Sequence, residues 1–235
     1  MQQELQNKKG LVNSVFDKSY DKYDLMNDIM SLGIHRIWKK DLLFWMSPRE
    51  NKSLIDVASG TGDIAKLFSE LTNNNSKVLC IDPNKKMLSK GQERLSKLKN
   101  IRWKIGSAEN LPVNDSSYDY YSISFGLRNT KNINNSIKEA FRVLKSGGHF
   151  FCLEFSKVEN ENLEFLYNKY SKFIPLIGDF VIGDSMPYKY LTKSIKNFVD
   201  QKTLINLMKK NGFKNCSYRN LSGGIVAIHS GWKIK

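Results

Sequence analysis

The residues of this chain that are best placed to do chemistry lie in one short stretch, where an apolar run ends in two closely spaced glycines. The stretch is Leu54-Ile55-Asp56-Val57-Ala58-Ser59-Gly60-Thr61-Gly62-Asp63. A strand that ends in such a turn lets the backbone approach a ligand closely, because Gly60 and Gly62 have no Cβ to collide with it. The stretch therefore predicts a crevice that binds a nucleotide cofactor.

Two cofactors fit this crevice by spacing. Gly60, Gly62 and Ala65 match the glycine fingerprint of dinucleotide binding. Asp82 lies about 20 residues further on, where that fingerprint places a ribose-binding acid. Asp56 favours S-adenosylmethionine instead, because a carboxylate in the strand before the glycines can help to hold a turn that carries a cationic sulfonium ligand. The spacing favours S-adenosylmethionine and leaves NAD open.

Residues after the second and third predicted strands extend the crevice. Asp82 closes the second strand, where its two oxygens suit the two hydroxyls of a ribose. It would also suit the N-cap of the helix that begins near Pro83, and the two roles are compatible. The third strand ends in the loop Ser107-Ala108-Glu109-Asn110-Leu111-Pro112, which suits contacts with an adenine edge. No set of dehydrogenase catalytic residues accompanies these features.

Strand-like and helix-like runs alternate from Ser53 onward, a pattern that produces a parallel sheet with helices on both faces. The predicted strands are Ser53–Ala58, Lys77–Asp82, Ile101–Ser107, Tyr118–Phe125, His149–Phe155, Lys214–Asn220 and Gly224–His229. The predicted helices are one that ends near Leu71, Asn84–Leu98, Asn134–Leu144 and Gln201–Asn211. Ser222-Gly223-Gly224 is a tight-hairpin signal between the last two strands. We therefore predict one Rossmann-like α/β domain over 1–235, a doubly wound, mostly parallel seven-stranded sheet that ends in an antiparallel hairpin.

The composition is that of a soluble globular protein, with 40% hydrophobic and 26% charged residues. The net charge of +14 suits an anionic partner such as nucleic acid or a lipid surface. Lysine and asparagine are nonetheless abundant along the whole chain, and no dense basic tract marks a nucleic-acid arm. Cys80, Cys152 and Cys216 lie far apart in apolar runs, so we expect buried free thiols in a reducing compartment.

Several further segments, spread over nearly the whole chain, match a known family in the same order along the sequence. They are Lys22-Tyr23-Asp24-Leu25-Met26-Asn27-Asp28, Gly33-Ile34-His35-Arg36-Ile37-Trp38-Lys39, Ser124-Phe125-Gly126-Leu127-Arg128-Asn129, Leu153-Glu154-Phe155-Ser156 and Asn220-Leu221-Ser222-Gly223-Gly224-Ile225-Val226-Ala227-Ile228-His229. With the glycine turn, they resemble the UbiE/MenG family of ubiquinone and menaquinone biosynthesis C-methyltransferases. The chain departs from that family at Ala58-Ser59-Gly60, where many relatives have two glycines, and at Lys145-Ser146-Gly147, where Lys-Pro-Gly is usual.

The resemblance implies the class I fold of S-adenosylmethionine-dependent methyltransferases, with an N-terminal helical cap over 1–50 and a helical insertion over 160–198 above the substrate site. It implies methyl transfer from S-adenosylmethionine to a ring carbon of a reduced polyprenyl quinone precursor, either a benzoquinol or a naphthoquinol. The positions that match the family's cofactor site are Thr61, Asp82, Ser107, Ala108 and Ser124. The full predicted cofactor-binding set is Asp56, Gly60, Thr61, Gly62, Asp82, Pro83, Met87, Ser107, Ala108 and Ser124.

Arg128 and Asn129 follow the fourth predicted strand, at the edge where ligands bind in open α/β sheets. Methylation of a ring carbon needs an electron-rich ring. A quinol becomes electron-rich when one of its hydroxyls, with a pKa of about 10, begins to lose its proton. Arginine stays protonated, so we predict that Arg128 stabilises the developing oxyanion or orients a water, while Asn129 and Tyr23 hold the ring. A salt bridge from Arg128 to Glu154 or Asp24 is the structural alternative.

The proton acceptor is left open among Glu154, Asp24 and His35, each acting through a water. His149 and His229 are expected to be structural. The histidines are few and scattered and no acidic cluster has ligand spacing, so we predict no metal site.

A long isoprenoid tail would need an apolar entrance. A partly helical apolar stripe from Leu25 to Trp38 is expected to be core and to cover the cofactor. The other predicted entrance residues are Phe173, Ile174, Leu176, Ile177 and Phe180. No apolar run reaches the roughly 18–20 residues that cross a bilayer, so we expect a cytoplasmic protein, with peripheral binding to the inner face of the membrane as an option.

Several alternatives stay open. We expect no nucleic-acid partner, whereas a homo-oligomer or a quinone-biosynthesis complex is compatible with the sequence. The competing functions are a methyltransferase acting on RNA or on another small molecule, an NAD-dependent oxidoreductase, and a non-catalytic protein that has kept a cofactor pocket.

Overall fold

A computed structural model of the chain describes residue 31, residues 33–159, residues 161 and 165, and residues 186–234. The seven strands within these residues are β1 (Ser53–Val57), β2 (Lys77–Asp82), β3 (Ile101–Ile105), β4 (Tyr118–Ser124), β5 (Leu144–Phe155), β6 (Lys214–Leu221) and β7 (Val226–Lys233). They form one sheet in the order β3-β2-β1-β4-β5-β7-β6. β1 to β5 are parallel, and β7 runs antiparallel to both of its neighbours. The predicted mostly parallel sheet with an antiparallel end is confirmed.

Helices connect most of the parallel strands. In the described residues they are α1 (His35–Met46), α2 (Asp63–Leu71), α3 (Lys85–Arg94), α4 (Ile133–Val143), α5 (Met186–Lys196) and α6 (Gln201–Lys210). α2, α3 and α4 each join two successive parallel strands, whereas β3 and β4 are joined by a loop without an α-helix. A short 3-10 turn, Leu127–Asn129, follows β4.

β1 lies in the interior of the sheet and pairs in parallel with β2 on one side and β4 on the other. The strand order reverses at β1, so the connections that leave β1 and β4 diverge and open a crevice at their carboxyl ends. The register sets Asp56 of β1 beside Cys80 of β2 and Ser122 of β4. The topology therefore brings the glycine turn close to the residues that follow β4.

Alternating residues of the central strands point into two apolar cores, one on each face of the sheet. Leu54 and Ile55, which are neighbours on β1, belong to different clusters. α4 buries Ile137 and Ala140 in the cluster that contains Ile55. α1 buries Trp38 in the other cluster and packs against α2 and β5. α1 and α2 both bury residues in this second core, which holds the two helices beside each other.

Two strands end one residue earlier than predicted, at the same edge of the sheet. Ala58 (φ 53°) and Phe125 (φ 56°) both take the left-handed backbone conformation, so β1 ends at Val57 and β4 ends at Ser124. Neither residue type signals that conformation, because left-handed backbone usually favours glycine or asparagine.

Other boundaries also differ from the prediction. β5 begins at Leu144 instead of His149, because Leu144 pairs with Tyr118 before the register shifts. β7 continues to Lys233 because it pairs with β5 along its whole length. β3 ends at Ile105 instead of Ser107, α3 at Arg94 instead of Leu98, and the β6–β7 connection is a 3-10 turn, Ser222–Gly224.

The predicted cap and insertion are described in part. α1 lies within the cap over 1–50, and α5 lies within the insertion over 160–198. The division of 1–235 into these parts of a single domain stays a prediction. Tyr23, Asp24 and the apolar group from Phe173 to Phe180 lie outside the described residues. In the described part of the chain, no helix is both long and apolar enough to span a membrane.

Candidate active site

A crevice opens where the turn after β1 meets the residues after β4. It is lined by α1, the turn, the start of α2 and the end of β4, through Lys39, Asp56, Ala58, Ser59, Gly60, Thr61, Asp63, Ile64, Ser124 and Phe125. Four predicted cofactor-binding residues, Asp56, Gly60, Thr61 and Ser124, thus lie together. Lys39 is an addition that its position in an amphipathic stripe did not signal.

The glycine turn needs its glycines for conformation and for space. Gly60 and Gly62 have φ values of 55° and 85°, in the left-handed region. A Cβ on Gly62 would also lie 2.6 Å from Cη2 of Trp103. The Ser59 N–H donates to the carbonyl oxygen of Ile81 at 3.1 Å and ties the turn to β2. Ser59 is not in the left-handed region, so its side chain causes no backbone strain there.

Asp82 joins the second strand to the glycine turn. Its Oδ2 accepts the N–H of Gly60 at 2.9 Å, and its Oδ1 accepts the N–H of Asn84 at 2.8 Å. Burial raises its pKa to about 6, against the opposing effect of these two hydrogen bonds. The N-cap of α3 is Asn84, whose Oδ1 accepts from Lys86 N and Met87 N, so the alternative role of Asp82 as that N-cap is wrong. Each carboxylate oxygen of Asp82 keeps a second acceptor position for a ribose hydroxyl.

Asp56 is a buried carboxylate at the floor of the crevice. Its Oδ1 accepts a hydrogen bond from Ser122 Oγ at 2.7 Å, and burial raises its pKa to about 7. Asp56 Oδ2 and Ser124 Oγ are buried, and neither has a hydrogen-bond partner among the described residues. Leaving such atoms unpaired costs roughly 1–3 kcal/mol each, so a bound ligand with polar groups here would be stabilising.

A three-membered ion-pair cluster braces the turn. Asp63 Oδ2 lies 2.7 Å from Lys39 Nζ, and Asp63 Oδ1 lies 2.6 Å from Arg94 Nη2. Arg94 also donates to the carbonyl oxygen of Thr61 at 2.8 Å. Burial would raise the pKa of Asp63, but the two cations outweigh it and hold that pKa well below its usual range. The cluster links α1, α2 and α3 around Thr61.

The remaining predicted cofactor residues flank Asp82. Met87 is buried, and its Cε would lie 3.3 Å from a Cβ placed on Gly60, so its side chain backs the turn. Ser107 and the buried Ala108 follow β3, and Ser107 forms an isolated bridge with Asn110. The Gly106 N–H donates to the backbone carbonyl of Asp82 at 3.2 Å, which holds this loop beside the carboxylate. Pro83 is exposed at the start of the same connection.

Arg128 and Glu154 form a buried ion pair beyond the end of β4. Arg128 Nη1 lies 2.7 Å from Glu154 Oε1, with side chains 7% and 0% exposed. Arg128 also donates to the carbonyl oxygen of Phe125 at 2.5 Å, and its guanidinium lies 5.3 Å from the centre of the Phe155 ring. Glu154 further accepts the N–H groups of Arg128 and Phe155. The salt bridge to Glu154 that was the structural alternative for Arg128 is therefore present, while Arg128 Nε has no partner among the described residues.

Asn129 is held by a residue that the sequence did not single out. The hydroxyl of Tyr190, on α5, donates to Asn129 Oδ1 at 3.0 Å. Burial raises the pKa of Tyr190, which also interacts electrostatically with Arg128 and Glu154. The two residues are 61 positions apart, and the aromatic-rich segment around Tyr190 only indicated cover for a substrate site.

The histidines lie in packed surroundings. His35 is buried, and its Nδ1 lies 2.9 Å from Ser31 Oγ. His149 Nε2 lies 2.8 Å from Ser230 Oγ, and burial lowers the pKa of His149 to about 3. Burial likewise lowers the pKa of His229 to about 4. The expectation that His149 and His229 are structural agrees with these contacts. Within the described ranges, no group of three or more His, Cys, Asp or Glu side chains could hold a metal ion.

The three cysteines are free thiols, as expected. Cys80 and Cys152 are fully buried in the sheet, and burial raises the pKa of both. Cys216 is only half-buried, so the prediction of burial is wrong for that residue. It lies on β6, the edge strand of the sheet, whose residues are only partly buried or exposed.

A doubly wound sheet with an antiparallel β7 between β5 and β6, a glycine turn after β1 and an acid at the end of β2 is the fold of the S-adenosylmethionine-dependent methyltransferases. A Thermotoga maritima enzyme of that class, described as a possible histamine N-methyltransferase, matches 94% of this chain and 99% of its own, with a TM-score of 0.68 and 19% identity. A Haemonchus contortus phosphoethanolamine N-methyltransferase, solved with S-adenosylhomocysteine, matches 84% of this chain and 52% of its own, with a TM-score of 0.63 and 13% identity. These likenesses show the fold.

Sequence comparison identifies the family. The model of the ubiE/COQ5 methyltransferase family matches residues 2–233. Proteins of Brucella anthropi and Brucella suis biovar 1, both named ubiquinone/menaquinone biosynthesis C-methyltransferase UbiE, are 46% and 45% identical to the chain over 97% of its length, and 89% and 87% of theirs. The chain belongs to the ubiE/COQ5 methyltransferase family, and it is a methyltransferase.

Proposed function

We propose that the protein transfers a methyl group from S-adenosylmethionine to a ring carbon of a reduced polyprenyl quinone precursor, a benzoquinol or a naphthoquinol. The observation that carries the proposal is the 46% identity, over 97% of the chain, to a relative named for that C-methylation. The crevice supports it, because a buried arginine and an asparagine follow β4 at the same edge of the sheet as the glycine turn.

The residues of the crevice fit S-adenosylmethionine. Asp82 would bind the ribose hydroxyls, and Ser107 with Ala108 would contact the adenine. Asp56 Oδ2 and Ser124 Oγ, which have no partner among the described residues, would face the amino-acid end of the cofactor. When bound, the cofactor supplies an electrophilic methyl group on a cationic sulfur. A buried carboxylate is a favourable neighbour for that charge.

The chain's own part is to make the ring nucleophilic. A phenol with a pKa of about 10 must lose its proton as the carbon attacks, so a fixed cation near the oxygen lowers the barrier. The methylated carbon then releases its own hydrogen as a proton and the oxygen takes one back, which restores the quinol. Arg128 supplies that cation, and Asn129 with Tyr23 holds the ring. Glu154 already accepts from Arg128 and two backbone N–H groups. Its part is therefore to fix Arg128, which leaves Asp24 or His35, through a water, as the proton acceptor.

The substrate's isoprenoid tail indicates where in the cell the protein works. A tail of that kind lies in a bilayer, so we propose that the protein works in the cytoplasm and binds peripherally to anionic lipid at the inner face of the membrane. The net charge of +14 supports this location. A homo-oligomer or an assembly with other quinone-biosynthesis enzymes is compatible with it.

The test is methyl transfer to defined acceptors. Purified protein is incubated with methyl-labelled S-adenosylmethionine and a short-tailed demethylated quinol, and the product is located by mass spectrometry. We expect label on a ring carbon. The matched control is the same acceptor in its oxidised quinone form, which has no hydroxyl to lose a proton and should take no label. Equal labelling of both forms, or labelling of RNA in place of the quinol, would contradict the proposal.

A further inference from the structure

α5 contributes a side chain to the methyl-transfer site through a single hydrogen bond. Tyr190 donates its hydroxyl to Asn129 Oδ1 at 3.0 Å, and α5 packs against the 3-10 turn that carries both Arg128 and Asn129. We propose that Tyr190 is a positioning residue for methyl transfer, which fixes the carboxamide of Asn129 so that its nitrogen faces the quinol. This inference rests on the proposed function.

The argument begins with the two ends of the carboxamide. An asparagine side chain has an accepting oxygen and a donating nitrogen, and a half-turn about its last bond exchanges them. A tyrosine hydroxyl can pair with either end, and in this structure the Tyr190 hydroxyl donates to Oδ1. In that orientation the Tyr190 hydroxyl leaves the two N–H groups of the Asn129 amide nitrogen for other acceptors. A quinol oxygen is such an acceptor, and it becomes a stronger one as negative charge develops on it.

The Tyr190 hydroxyl is protonated in this setting and is therefore able to donate. Burial raises its pKa above the ordinary value, so the hydroxyl keeps its proton at neutral pH. Arg128 and Glu154 act on it with opposite signs, as expected for a phenol that lies beside an ion pair. Tyr190, Asn129, Arg128 and Glu154 therefore form one connected group.

A matched control is available on the same helix. Tyr188 is fully buried, and its hydroxyl has no hydrogen-bond partner in the described part of the chain. Tyr188→Phe removes the same atom as Tyr190→Phe, from the same helix, without breaking a hydrogen bond between described residues. Removal of the unpaired Tyr188 hydroxyl should leave stability unchanged or raise it, and the positioning role predicts that only Tyr190→Phe lowers kcat.

The experiment compares kcat, the Kd for S-adenosylmethionine and the thermal midpoint of wild type, Y190F and Y188F. For Y190F we expect kcat to fall about tenfold, the amount that one hydrogen bond in the transition state supplies. Its Kd for the cofactor should stay within twofold of wild type, and its thermal midpoint should stay within about 2 °C of wild type. Y188F should keep the wild-type kcat. A Y190F enzyme with wild-type kcat, or one that loses kcat only in step with its midpoint, would overturn the inference.

A double-mutant cycle separates positioning from packing. Asn129→Ala should lower kcat, and adding Y190F to it should cost less than a further twofold, because the group that Tyr190 orients is gone. Full additivity would overturn the inference. The wild-type assay separates the two proposals: if wild type methylates no quinol, the proposed function fails and this inference falls with it, whereas normal wild-type turnover with an unaffected Y190F removes the inference alone.

Discussion

Arg128 is the residue on which the proposed chemistry depends most, and its surroundings explain why it is suited to that part. Glu154 is fully buried and would be costly without its partner, so the pair holds the guanidinium in one place. One guanidinium nitrogen, Nε, stays unpaired among the described residues. Arg128 is thus held rigidly and still has a donor to offer a developing oxyanion.

Substitution of Arg128 should separate folding from catalysis. Arg128→Lys keeps the charge beside Glu154 but loses the planar fork, so we expect a folded protein with wild-type cofactor affinity and a kcat reduced at least about tenfold. Arg128→Ala leaves Glu154 buried and unpaired and should cost about 3–5 kcal/mol of stability. Steady-state kinetics and urea denaturation measure the two effects. A lysine variant with normal kcat would exclude the oxyanion role.

Asp56 predicts a pH-dependent cost to the fold. The pKa of Asp56 is about 7 in the folded protein, against an ordinary value of 3.8. Between pH 3.8 and about 7, Asp56 therefore keeps its proton in the folded state and has lost it in the unfolded state. Stability should therefore fall as the pH rises from about 4 to about 7. Asp56→Asn removes the penalty and can still accept from Ser122, so the cofactor-free variant should be about 1–3 kcal/mol more stable at pH 8 and bind S-adenosylmethionine more weakly.

Asp119 is the matched control for this behaviour. Burial acts to raise its pKa, but hydrogen bonds from Lys145, Ser53 and Lys52 outweigh it and hold the pKa well below its usual range. A lowered pKa stabilises the folded state above the ordinary value of 3.8 and loses that effect as the pH falls. Asp119→Asn should thus cost about 1 kcal/mol at pH 7, the opposite sign to Asp56→Asn. Urea titrations at pH 5 and pH 8 that gave both variants the same sign would contradict this account.

The glycine turn is the element that shapes the crevice. Two glycines with similar backbone conformation test whether the turn needs glycine for space as well as for its backbone conformation. Gly62 (φ 85°) and Gly147 (φ 76°) are both left-handed, but only Gly62 faces a neighbour, Trp103, within 4 Å of an added Cβ. Gly147→Ala should cost about 1 kcal/mol of backbone strain, and Gly62→Ala should cost about 2–4 kcal/mol, because overpacking adds to the strain. Equal losses in urea denaturation would show that space at the turn is unimportant.

The elements that the sequence predicts best are those with local signals. β2 is predicted to the residue, because an apolar run ends at Asp82-Pro83. The ends of β1 and β4 are each missed by one residue, because the residue types of Ala58 and Phe125 do not signal their left-handed backbone. Lys39 and Tyr190 escape prediction for another reason. Each side chain contacts a partner that is distant in sequence, which only the fold brings near.

The whole molecule carries a net charge of +14, and the proposed binding to a membrane through this charge can be tested. We expect the protein to co-sediment with vesicles that contain anionic lipid, and to be released as salt rises from 0.1 M to about 0.5 M, where the screening length becomes short. Vesicles of neutral lipid are the control and should retain little protein. Equal retention on both, or retention that does not respond to salt, would contradict peripheral binding through charge.

The central claim is that the crevice after β1 and β2 binds S-adenosylmethionine through Asp82, and calorimetric titration tests it most directly. The account predicts that the wild-type protein binds S-adenosylmethionine and not NAD. It predicts that Asp82→Asn, titrated at a temperature where the variant is folded, binds about ten- to a hundredfold more weakly, because hydrogen bonds to a charged acceptor are lost. A wild-type protein that binds no S-adenosylmethionine, or an Asp82→Asn variant that binds it as tightly as wild type, would contradict the account.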